Sequence, residues 1–426
     1  MGPPSAAASP AASAALRSAG EAVLRANWRE GVRADGVAYA FTCPAPPRYR
    51  HMWHWDSCFH AIAWRLVEPV RARAELRTVL RSGRPDGFLP HTVFWDARAG
   101  WRRAPLYATR GLLGDRHTET IGPPLLAYAW ELVADASSND PGFRTEALLE
   151  LARHLRWLED ERDPDGDGLL SIVVPDESGL DDSPKYEPVF GRLTHDRAGY
   201  ALLMKRGRRA RWDSHMLIER YDHHVEDVWV NVAYALSLHA MGRLTGDASW
   251  GARAERVERA LLERCLDDRT GLFFDLAGRD ERPVRISTWS SLSPLALCGL
   301  PAHVRMRLVE QHLLDERRYL APVGIPSVSM DELSFNPRWD RFRTWRGPSW
   351  VNVAWLLAPA MRELGYGAAA DRVVASLAAA ALRDGFREYY DPLSGRGLGA
   401  RGFGWSTLLC ELVDVPFTAP AAPGTE

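Results

Sequence analysis

WVNVAYAL at residues 229–236 reappears as WVNVAWLL at residues 350–357, 121 residues further along the chain. Six of the eight positions match, and each copy places an asparagine two residues after a tryptophan. The segment WHWDSCFHAIAW at 53–64 opens in a similar way. Repeats of this kind are typical of helical hairpins arranged around an axis. They favour a toroid in which polar and aromatic helix starts meet at one place; the alternative is a coincidence between two core helices.

The rest of the interior is also helical by its pattern. Apolar residues recur at three- and four-residue spacing, and glycine, proline or aspartate interrupts most of the gaps. The predicted helices span residues 15–28, 55–66, 69–81, 123–134, 141–158, 225–241, 248–265, 302–314, 349–364, 368–381 and 404–412. Strand-like alternation is rare, and residues 169–174 are the main candidate.

The two ends of the chain differ from its interior in composition. Residues 1–14 are rich in Ala, Pro and Ser, and the last residues read TAPAAPGTE. Such segments bury too little apolar surface to fold. We expect a disordered N-terminus at 1–14, a single domain at 15–416 and a flexible tail at 417–426, because no Gly/Ser- or Pro-rich linker interrupts the interior.

Composition excludes several classes of partner. The 53 basic and 55 acidic residues give a net charge of −2, so no basic field indicates nucleic acid or a membrane surface. No apolar run reaches the roughly 18 residues that a membrane span requires. Five cysteines without a CxxC pair argue against a disulfide framework and favour a reducing cytoplasm. We expect a small-molecule substrate and no cofactor, and a homo-oligomer stays open.

Two acidic segments are candidates for acid–base chemistry. ESGLDDSPKY at 177–186 places Glu177, Asp181 and Asp182 in one loop. A general acid needs a raised pKa, which Asp182 or Glu177 could give Asp181. In FREYYDPLSGRG at 386–397, Glu388 lies between an arginine and two tyrosines. Loop and boundary carboxylates more often serve only to solvate the surface.

Aromatic and basic residues offer a second kind of site. Trp53, Trp55 and Asp56 combine stacking surfaces with a hydroxyl acceptor, and Arg346 follows Trp345 before a Gly-Pro turn. Arg346 is as readily interpreted as a buried structural arginine. The basic stretch KRGRRARW at 205–212 could meet an anionic group, although a solvated mobile loop is the more ordinary interpretation.

Metal binding is not predicted. Histidines at 51, 54 and 60 and at 215, 223 and 224 form no HExxH motif. DPDGDG at 163–168 matches the opening of a calcium loop, but the twelfth position is Val174, which cannot supply the bidentate carboxylate of an EF-hand. An Asx-turn without metal is therefore the favoured interpretation of this segment.

Five motifs in order, WHWDS (53–57), GFLPH (87–91), SGLDDSP (178–184), WRGPSW (345–350) and EYYDPLSG (388–395), resemble glycoside hydrolase family 63. The similarity covers roughly residues 25–415 and is greatest to the bacterial mannosylglycerate and glucosylglycerate hydrolase branch. The SGxD segment and the FGW ending at Trp405 are also similar to family 37 trehalases. The resemblance implies an all-α, (α/α)6 barrel with its active site in the central funnel.

The resemblance also implies roles for individual residues. Asp181 matches the general acid and Glu388 the general base of an inverting α-glycosidase. The residues that match sugar-binding positions are Trp53, Trp55, Asp56, His91, Gly179, Trp345, Arg346, Gly347, Trp350 and Trp405. Glycerate-cleaving relatives tend to carry glutamine where this chain has Gly122 and tyrosine where it has Thr344, toward the leaving group.

Two other functions remain open at this stage. A different enzyme on the same toroid, trehalase-like or a sugar epimerase, is the first; an epimerase would need paired histidines at the funnel floor. A non-catalytic sugar-binding protein is the second, and it predicts that Asp181 or Glu388 points away from the cavity.

Overall fold

Helices dominate the computed structural model, which describes residues 10–95, 104–111, 115–137, 139–194, 196–338 and 344–414. The α-helices are α1 (Pro10–Asn27), α2 (His54–Trp64), α3 (Pro69–Arg81), α4 (Leu126–Asp135), α5 (Leu148–Arg162), α6 (Glu187–Phe190), α7 (Arg197–Arg209), α8 (Ser214–Tyr221), α9 (Val228–Thr245), α10 (Ala248–Ala260), α11 (Ala302–Leu308), α12 (Val351–Glu363), α13 (Gly367–Asp384) and α14 (Leu409–Asp414). The strands are β1 (Trp28–Val32), β2 (Ala38–Thr42), β3 (Met52–Trp53), β4 (Thr92–Val93), β5 (Ser171–Ile172), β6 (Val225–Glu226), β7 (Leu276–Ala277), β8 (Arg282–Pro283), β9 (Arg387–Tyr390) and β10 (Gly397–Arg401).

Six helical segments form a closed inner ring. Helix α2 packs against α4, α4 against α9, and α9 against the 3₁₀ segment Trp289–Ala296. That segment packs against α12, α12 packs against the 3₁₀ segment Gly404–Leu408, and the last of these contacts α2 again. Both copies of the WVNVA repeat and the WHWDS segment therefore lie in the inner ring.

An outer helix precedes each inner segment in the chain. Helices α1, α3, α5, α10, α11 and α13 fill these six places, and each packs against one or two inner segments. Six outer–inner hairpins arranged in a ring form an (α/α)6 barrel. The predicted all-α toroid is confirmed.

Burial explains why the inner helices are apolar around most of their circumference. Helix α9 contacts outer helices on one side and the ring interior on the other, and most of its residues are buried. Its ends are defined by local chemistry: Asp227 accepts a hydrogen bond from the amide of Val230 (3.1 Å), and Gly246 adopts the left-handed conformation at φ +73°.

Short antiparallel sheets connect the helices at one end of the ring. The pairs are β1–β2, β3–β4 and β9–β10, and a four-stranded sheet has the order β5–β6–β7–β8. Strand β3 carries Trp53 and strand β9 carries Glu388. Strand β5 lies within the predicted 169–174 segment. These sheets bring residues from distant parts of the chain to the ring opening.

Several boundaries differ from the sequence-based prediction. Helix α1 begins at Pro10 rather than at Ala15, so residues 10–14, expected to be disordered, are helical. The predicted helix at 141–158 is divided, because the proline-led 3₁₀ turn Pro141–Arg144 ends before α5 begins at Leu148. Residues 1–9 and 415–426, which include the predicted flexible tail, lie outside the described residues. No helix in the described ranges is long and apolar enough to cross a membrane.

Candidate active site

A cavity of about 360 Å³ opens at the end of the ring where α2 and α12 begin. Ten of the twelve predicted site residues line it: Trp53, Trp55, Asp56, His91, Gly179, Asp181, Trp345, Trp350, Glu388 and Trp405. They come from segments up to 352 residues apart in the chain. The starts of α2 and α12 therefore meet at the cavity, and Trp229 at the start of α9 lies next to Trp55, with ring centroids 6.5 Å apart, without lining the cavity.

Tryptophan rings form much of the cavity wall. Trp345 and Trp350 stack face to face, with ring centroids 3.9 Å apart and an interplanar angle of 5°. Trp55 meets Trp405 edge to face at 4.8 Å. The ring of Trp53 lies 5.9 Å from the ring of Tyr49. Flat apolar faces of this kind can stack on the face of a sugar ring that carries its C–H groups.

Gly179 is required by the closeness of one of these tryptophans. It has φ +71°, and a Cβ atom at this position would lie 2.4 Å from the ring of Trp55. Only glycine fits this left-handed backbone and this contact. The loop that carries Asp181 therefore packs its backbone directly on the cavity wall.

Two polar side chains accompany the aromatic wall. Asp56 lies in the first turn of α2 and is 4 % exposed, and burial, with smaller effects of Glu388 and Glu75, raises its pKa well above the ordinary range. Burial lowers the pKa of His91 to about 4, so the imidazole is neutral. Both can exchange hydrogen bonds with sugar hydroxyls.

Asp181 faces the cavity from the loop after Gly179. Asp181 is exposed to the cavity, and the protein atoms around it still reduce its solvation. This desolvation, together with the charge of Glu388, raises its pKa to about 6. Asp181 can therefore hold a proton at mildly acidic pH, as a general acid must.

Two further carboxyls surround Asp181 in the cavity wall. Burial and the charge of Asp181 raise the pKa values of both Asp176 and Asp182. Tyr200 donates a hydrogen bond to Asp176, and the amide of Trp345 donates one to Asp182 (2.8 Å). Each of the three carboxyls therefore has a pKa above the usual range of an aspartate.

The segment around Asp181 is anchored on both sides. Glu177, suggested above as a modulator of Asp181, is fully buried and accepts two hydrogen bonds from Arg162, at 2.6 and 2.8 Å. On the other side, Lys185 donates to Asp227 at 2.6 Å. Glu177 is therefore held by an ion pair, and its charge adds to the raised pKa of Asp176 rather than to that of Asp181.

Glu388 has a different environment from Asp181. It is 4 % exposed and accepts hydrogen bonds from the hydroxyl of Tyr49 (2.9 Å) and the amide of Ala400 (2.7 Å). Arg48 Nη1 lies 3.7 Å from its Oε2 atom. Burial raises the pKa of Glu388, and these three partners oppose the increase. Three groups thus favour its ionised form.

Arg346 and Gly347 do not line the cavity, contrary to the expectation that they contact sugar. Arg346 is buried, and its Nη2 atom donates to Glu187 at 2.5 Å. A Cβ atom on Gly347 would lie 3.0 Å from the ring of Phe335. The structure supports the structural interpretation of Arg346, and the motif alone could not distinguish it because WRGPSW does not show the position of Glu187.

Helix α7 supplies site residues that the sequence pattern missed. Asp196, Arg197 and Tyr200 line the cavity, at the start of this helix. The sequence does contain a sign of this helix: Asp196, a residue type typical of N-caps, stands ahead of an apolar run. In the structure Asp196 caps α7 by accepting a hydrogen bond from the amide of Gly199 (2.8 Å). The arginines at the end of α7 made a solvated loop the favoured interpretation of that part of the sequence.

The KRGRRARW stretch is neither a solvated loop nor a part of the cavity lining. Arg208 donates hydrogen bonds to the carbonyls of Ala104, Pro105, Tyr107 and Thr109. It belongs to the last turn of α7, where positive charge is favoured by the helix dipole. These hydrogen bonds hold residues 104–111 against α7, and Tyr107 of that segment lines the cavity.

The model of the mannosylglycerate hydrolase MGH1-like glycoside hydrolase domain matches residues 49–406. The chain belongs to this glycoside hydrolase family. The match spans the cavity residues from Tyr49 to Trp405. The sequence-based recognition of glycoside hydrolase family 63 is thereby confirmed, and the chain is an enzyme rather than a silent sugar-binding protein.

Relatives of this glycoside hydrolase family match nearly the whole chain. A mannosylglycerate hydrolase of Thermus thermophilus is 31 % identical over 409 residues, covering 87 % of this chain and 95 % of the relative. The glucosylglycerate hydrolase of Mycolicibacterium hassiacum is 27 % identical over 421 residues, covering 86 % and 92 %.

Solved structures agree with the fold. The crystal structure of a family 63 mannosylglycerate hydrolase of Thermus thermophilus in complex with glucose has a TM-score of 0.80 at 30 % identity, covering 93 % of this chain and 99 % of that chain. Neutral trehalase from Saccharomyces cerevisiae has a TM-score of 0.60 at 14 % identity, covering 92 % and 79 %. The second likeness concerns the fold alone.

Histidine placement bears on the epimerase alternative within this fold. His91 is the one histidine that lines the cavity among the residues the structure describes. An epimerase of the kind considered above would need a pair. The cavity lining instead includes the carboxyls of Asp181 and Glu388, the kind of pair that a glycoside hydrolase requires.

Proposed function

We propose that the chain is an inverting hydrolase of a hexosyl-glycerate, mannosylglycerate or glucosylglycerate, with Asp181 as general acid and Glu388 as general base. The observation that carries this proposal is the contrast between the two carboxyls in one cavity. Asp181 lies beside two other carboxyls and has a pKa raised to about 6, whereas Glu388 accepts two hydrogen bonds and lies near Arg48, which oppose the effect of burial on its pKa. The names of the relatives support the substrate class.

The reaction needs one proton delivered and one removed. Asp181 protonates the glycosidic oxygen as its bond to C1 breaks, and glycerate leaves as an alcohol. Glu388 takes a proton from water, whose oxygen bonds to C1 from the opposite face. The products are glycerate and a hexose of inverted, β configuration. Protons then return both carboxyls to their starting states through solvent.

The aromatic wall is proposed to hold the hexose. Trp53, Trp55, Trp345, Trp350 and Trp405 supply apolar faces, and Asp56 and His91 supply hydrogen-bonding groups. Gly179 contributes by allowing the close approach of Trp55. Arg346 and Gly347 support this wall from behind, through Glu187 and Phe335.

A cation near the acid is needed to recognise the carboxylate of glycerate. Arg197 lines the cavity three residues before Tyr200, on the same helix face. Tyr200 in turn contacts Asp176, which interacts with Asp181. We therefore assign Arg197 to the leaving-group side, while Arg48 lies 3.7 Å from Glu388, the proposed base. We propose that Arg197 attracts the glycerate carboxylate.

Thr344 and Gly122, the two departures from the glycerate-cleaving pattern, differ in their position relative to the cavity. Thr344 lines the cavity, and its amide and hydroxyl both donate to Asp182. Gly122 packs behind the wall, where a Cβ atom would lie 3.1 Å from the Cβ of His54. A glutamine at 122 would need His54 to move, so the leaving-group side here is built from Thr344 and α7 instead.

The test is to follow hydrolysis by proton NMR. Mannosylglycerate and glucosylglycerate should first release β-hexose, and trehalose, kojibiose and nigerose should be cleaved poorly. Initial release of α-hexose would contradict inversion and the two catalytic assignments. Arg197→Gln should raise KM for hexosyl-glycerate about tenfold while leaving KM for the neutral hexosyl-glycerol unchanged. An equal effect on both substrates would remove Arg197 from this role.

A cytoplasmic location, the absence of a nucleic-acid partner and a possible homo-oligomer complete the proposal. Net charge is −2, and all five cysteines are free thiols. Light scattering after gel filtration would give the oligomeric state.

A further inference from the structure

Four carboxylates meet outside the cavity. Asp165, Asp167, Glu226 and Glu281 each place an oxygen so that the four oxygens lie within 4.8 Å of one another. They come from three separate segments: the loop after α5, strand β6 and the turn between β7 and β8. None of the four lines the cavity described above. Like charges at this separation repel unless a cation lies among them.

One of these carboxylates is buried without a hydrogen-bond partner. Glu226 is 4 % exposed, and its Oε2 atom accepts no hydrogen bond from any described residue. Arg264 is the nearby cation, and it pairs with Asp167 and Glu281. A buried, uncompensated carboxylate oxygen is costly, so it points to a ligand that the protein itself does not supply.

Asp167 shows the same feature. Its Oδ1 accepts a hydrogen bond from the amide of Leu169 (2.8 Å). Its Oδ2 lies 2.9 Å from Arg264 Nε, but the two atoms are not aligned for a hydrogen bond, and both remain without one. A single arginine therefore leaves the cluster with excess negative charge and unsatisfied oxygens.

The acidic loop is closed by hydrogen bonds between its own residues. Asp163 accepts a hydrogen bond from the amide of Gly168 (3.0 Å), which closes the turn. Asp167 accepts a hydrogen bond from the amide two residues later, so the Asx-turn predicted for this segment is present. The sequence argument against a metal was that Val174 occupies the place of the bidentate carboxylate, and in the fold Glu226 brings a carboxylate to that loop from strand β6.

We propose that Asp165, Asp167, Glu226 and Glu281 bind one calcium ion. The ligands are all carboxylate oxygens, which excludes a preference for zinc or copper. Ligands from three segments form an irregular set, which suits the flexible six- to eight-fold coordination of Ca²⁺ better than the strict octahedron of Mg²⁺.

Calcium at this place would join three segments of the four-stranded sheet. Strand β5 leads from the acidic loop to Pro175–Ser178 and then to Asp181. Strand β6 is followed by Asp227, the partner of Lys185 in the same catalytic segment. The ion would therefore stabilise the base of the loop that carries the proposed general acid, without contact to substrate.

The experiment uses the full chain after treatment with EDTA and gel filtration. Isothermal titration with CaCl₂ should show one site with a Kd on the order of 10 µM, and 1 mM Ca²⁺ should raise Tm by about 2–5 °C. Glu226→Gln keeps the shape and should weaken binding at least tenfold and abolish the Tm increase. Glu21→Gln, an exposed carboxyl on α1, is the matched control and should bind like the wild type.

Stability without calcium separates a metal ligand from an ordinary structural residue. Glu226→Gln should be at least as stable as the wild type in EDTA, because one repelling charge is gone, and less stable in 1 mM Ca²⁺. The exposed Asp165→Asn provides a second variant should Glu226→Gln fail to fold. No binding by the wild type, equal binding by the variants, or tighter binding of MgCl₂ than of CaCl₂ would overturn the calcium site.

Discussion

Two groups of carboxyls in the cavity lining have different surroundings. We call Asp176, Asp181 and Asp182 the acid wall, and Glu388 with Arg48 and Tyr49 the base wall. On the acid wall desolvation raises all three pKa values, the charge of Asp181 adds to the increase at Asp176 and Asp182, and the charge of Glu388 adds to it at Asp181. On the base wall a hydroxyl, an amide and a guanidinium oppose the effect of burial. Reduced solvation raises the pKa of both Asp181, which is exposed to the cavity, and Glu388, which is buried. The neighbours of Glu388 oppose this increase, whereas the charge of Glu388 adds to it at Asp181.

The largest expected effect comes from removing either carboxyl. Asp181→Asn and Glu388→Gln should each lower kcat on hexosyl-glycerate by about 10²–10⁴-fold, with unchanged far-UV circular dichroism. Steady-state kinetics provide the measurement. Near-normal turnover in either variant would remove that residue from its proposed role.

Hexosyl fluoride distinguishes the two walls, because fluoride departs without protonation. Asp181→Asn should therefore recover most of its activity on the α-fluoride, and Glu388→Gln should not. Recovery of activity by both variants, or by neither, would contradict the assignment of the acid role to one wall and the base role to the other.

Truncation of Trp53 should weaken sugar binding without changing the acid or base function of the two walls. Trp53→Ala should raise KM about tenfold for hexosyl-glycerate and for the fluoride alike, since it removes a stacking face of about 1 kcal/mol or more. Its ratio of activities on the two substrates should match that of the wild type. A change in that ratio would show that Trp53 acts on one wall through Tyr49.

The base wall can be altered by one hydroxyl. Tyr49→Phe removes the hydrogen bond donated to Glu388, so the pKa of Glu388 should rise by about one unit. The base acts when ionised, so the acidic limb of the kcat/KM profile should move to higher pH by that amount. The alkaline limb, which reports Asp181, should stay in place.

A smaller shift is expected from the acid wall. The general acid acts when protonated, so kcat/KM should fall as pH rises through the Asp181 pKa of about 6. Asp176→Asn removes a carboxyl that interacts with Asp181, which lowers the pKa of the remaining pair and moves the alkaline limb by about half a unit to lower pH. A shift to higher pH would contradict the coupling.

Much of the fold was predictable because the inner helices repeat a local pattern. The WVNVA repeat, with buried positions on most sides, identified α9 and α12 as inner helices, and the helix starts did converge. The (α/α)6 closure needed the family resemblance, since no local pattern encodes which helix meets α2. Helix α7 was missed because five basic residues at 205–211 obscured its apolar face.

The site was less predictable where partners are distant in sequence. Arg346 binds Glu187, and Asp176 is joined to Tyr200; neither pairing leaves a local signal. The acidic loop at 163–168 is incomplete as a local motif because Glu226 lies 59 residues after Asp167. Local motifs identified which residue types were present, while the ring decided which of them became neighbours.

The closed ring has a consequence for how the molecule opens. In a linear stack of hairpins each end unit has one neighbour and frays, whereas here α2 packs against both α4 and Gly404–Leu408, so every hairpin has two neighbours. Opening any one hairpin breaks two interfaces at once. Slow amide exchange should therefore extend around all six inner segments with similar protection, and the ring should unfold as a single cooperative unit.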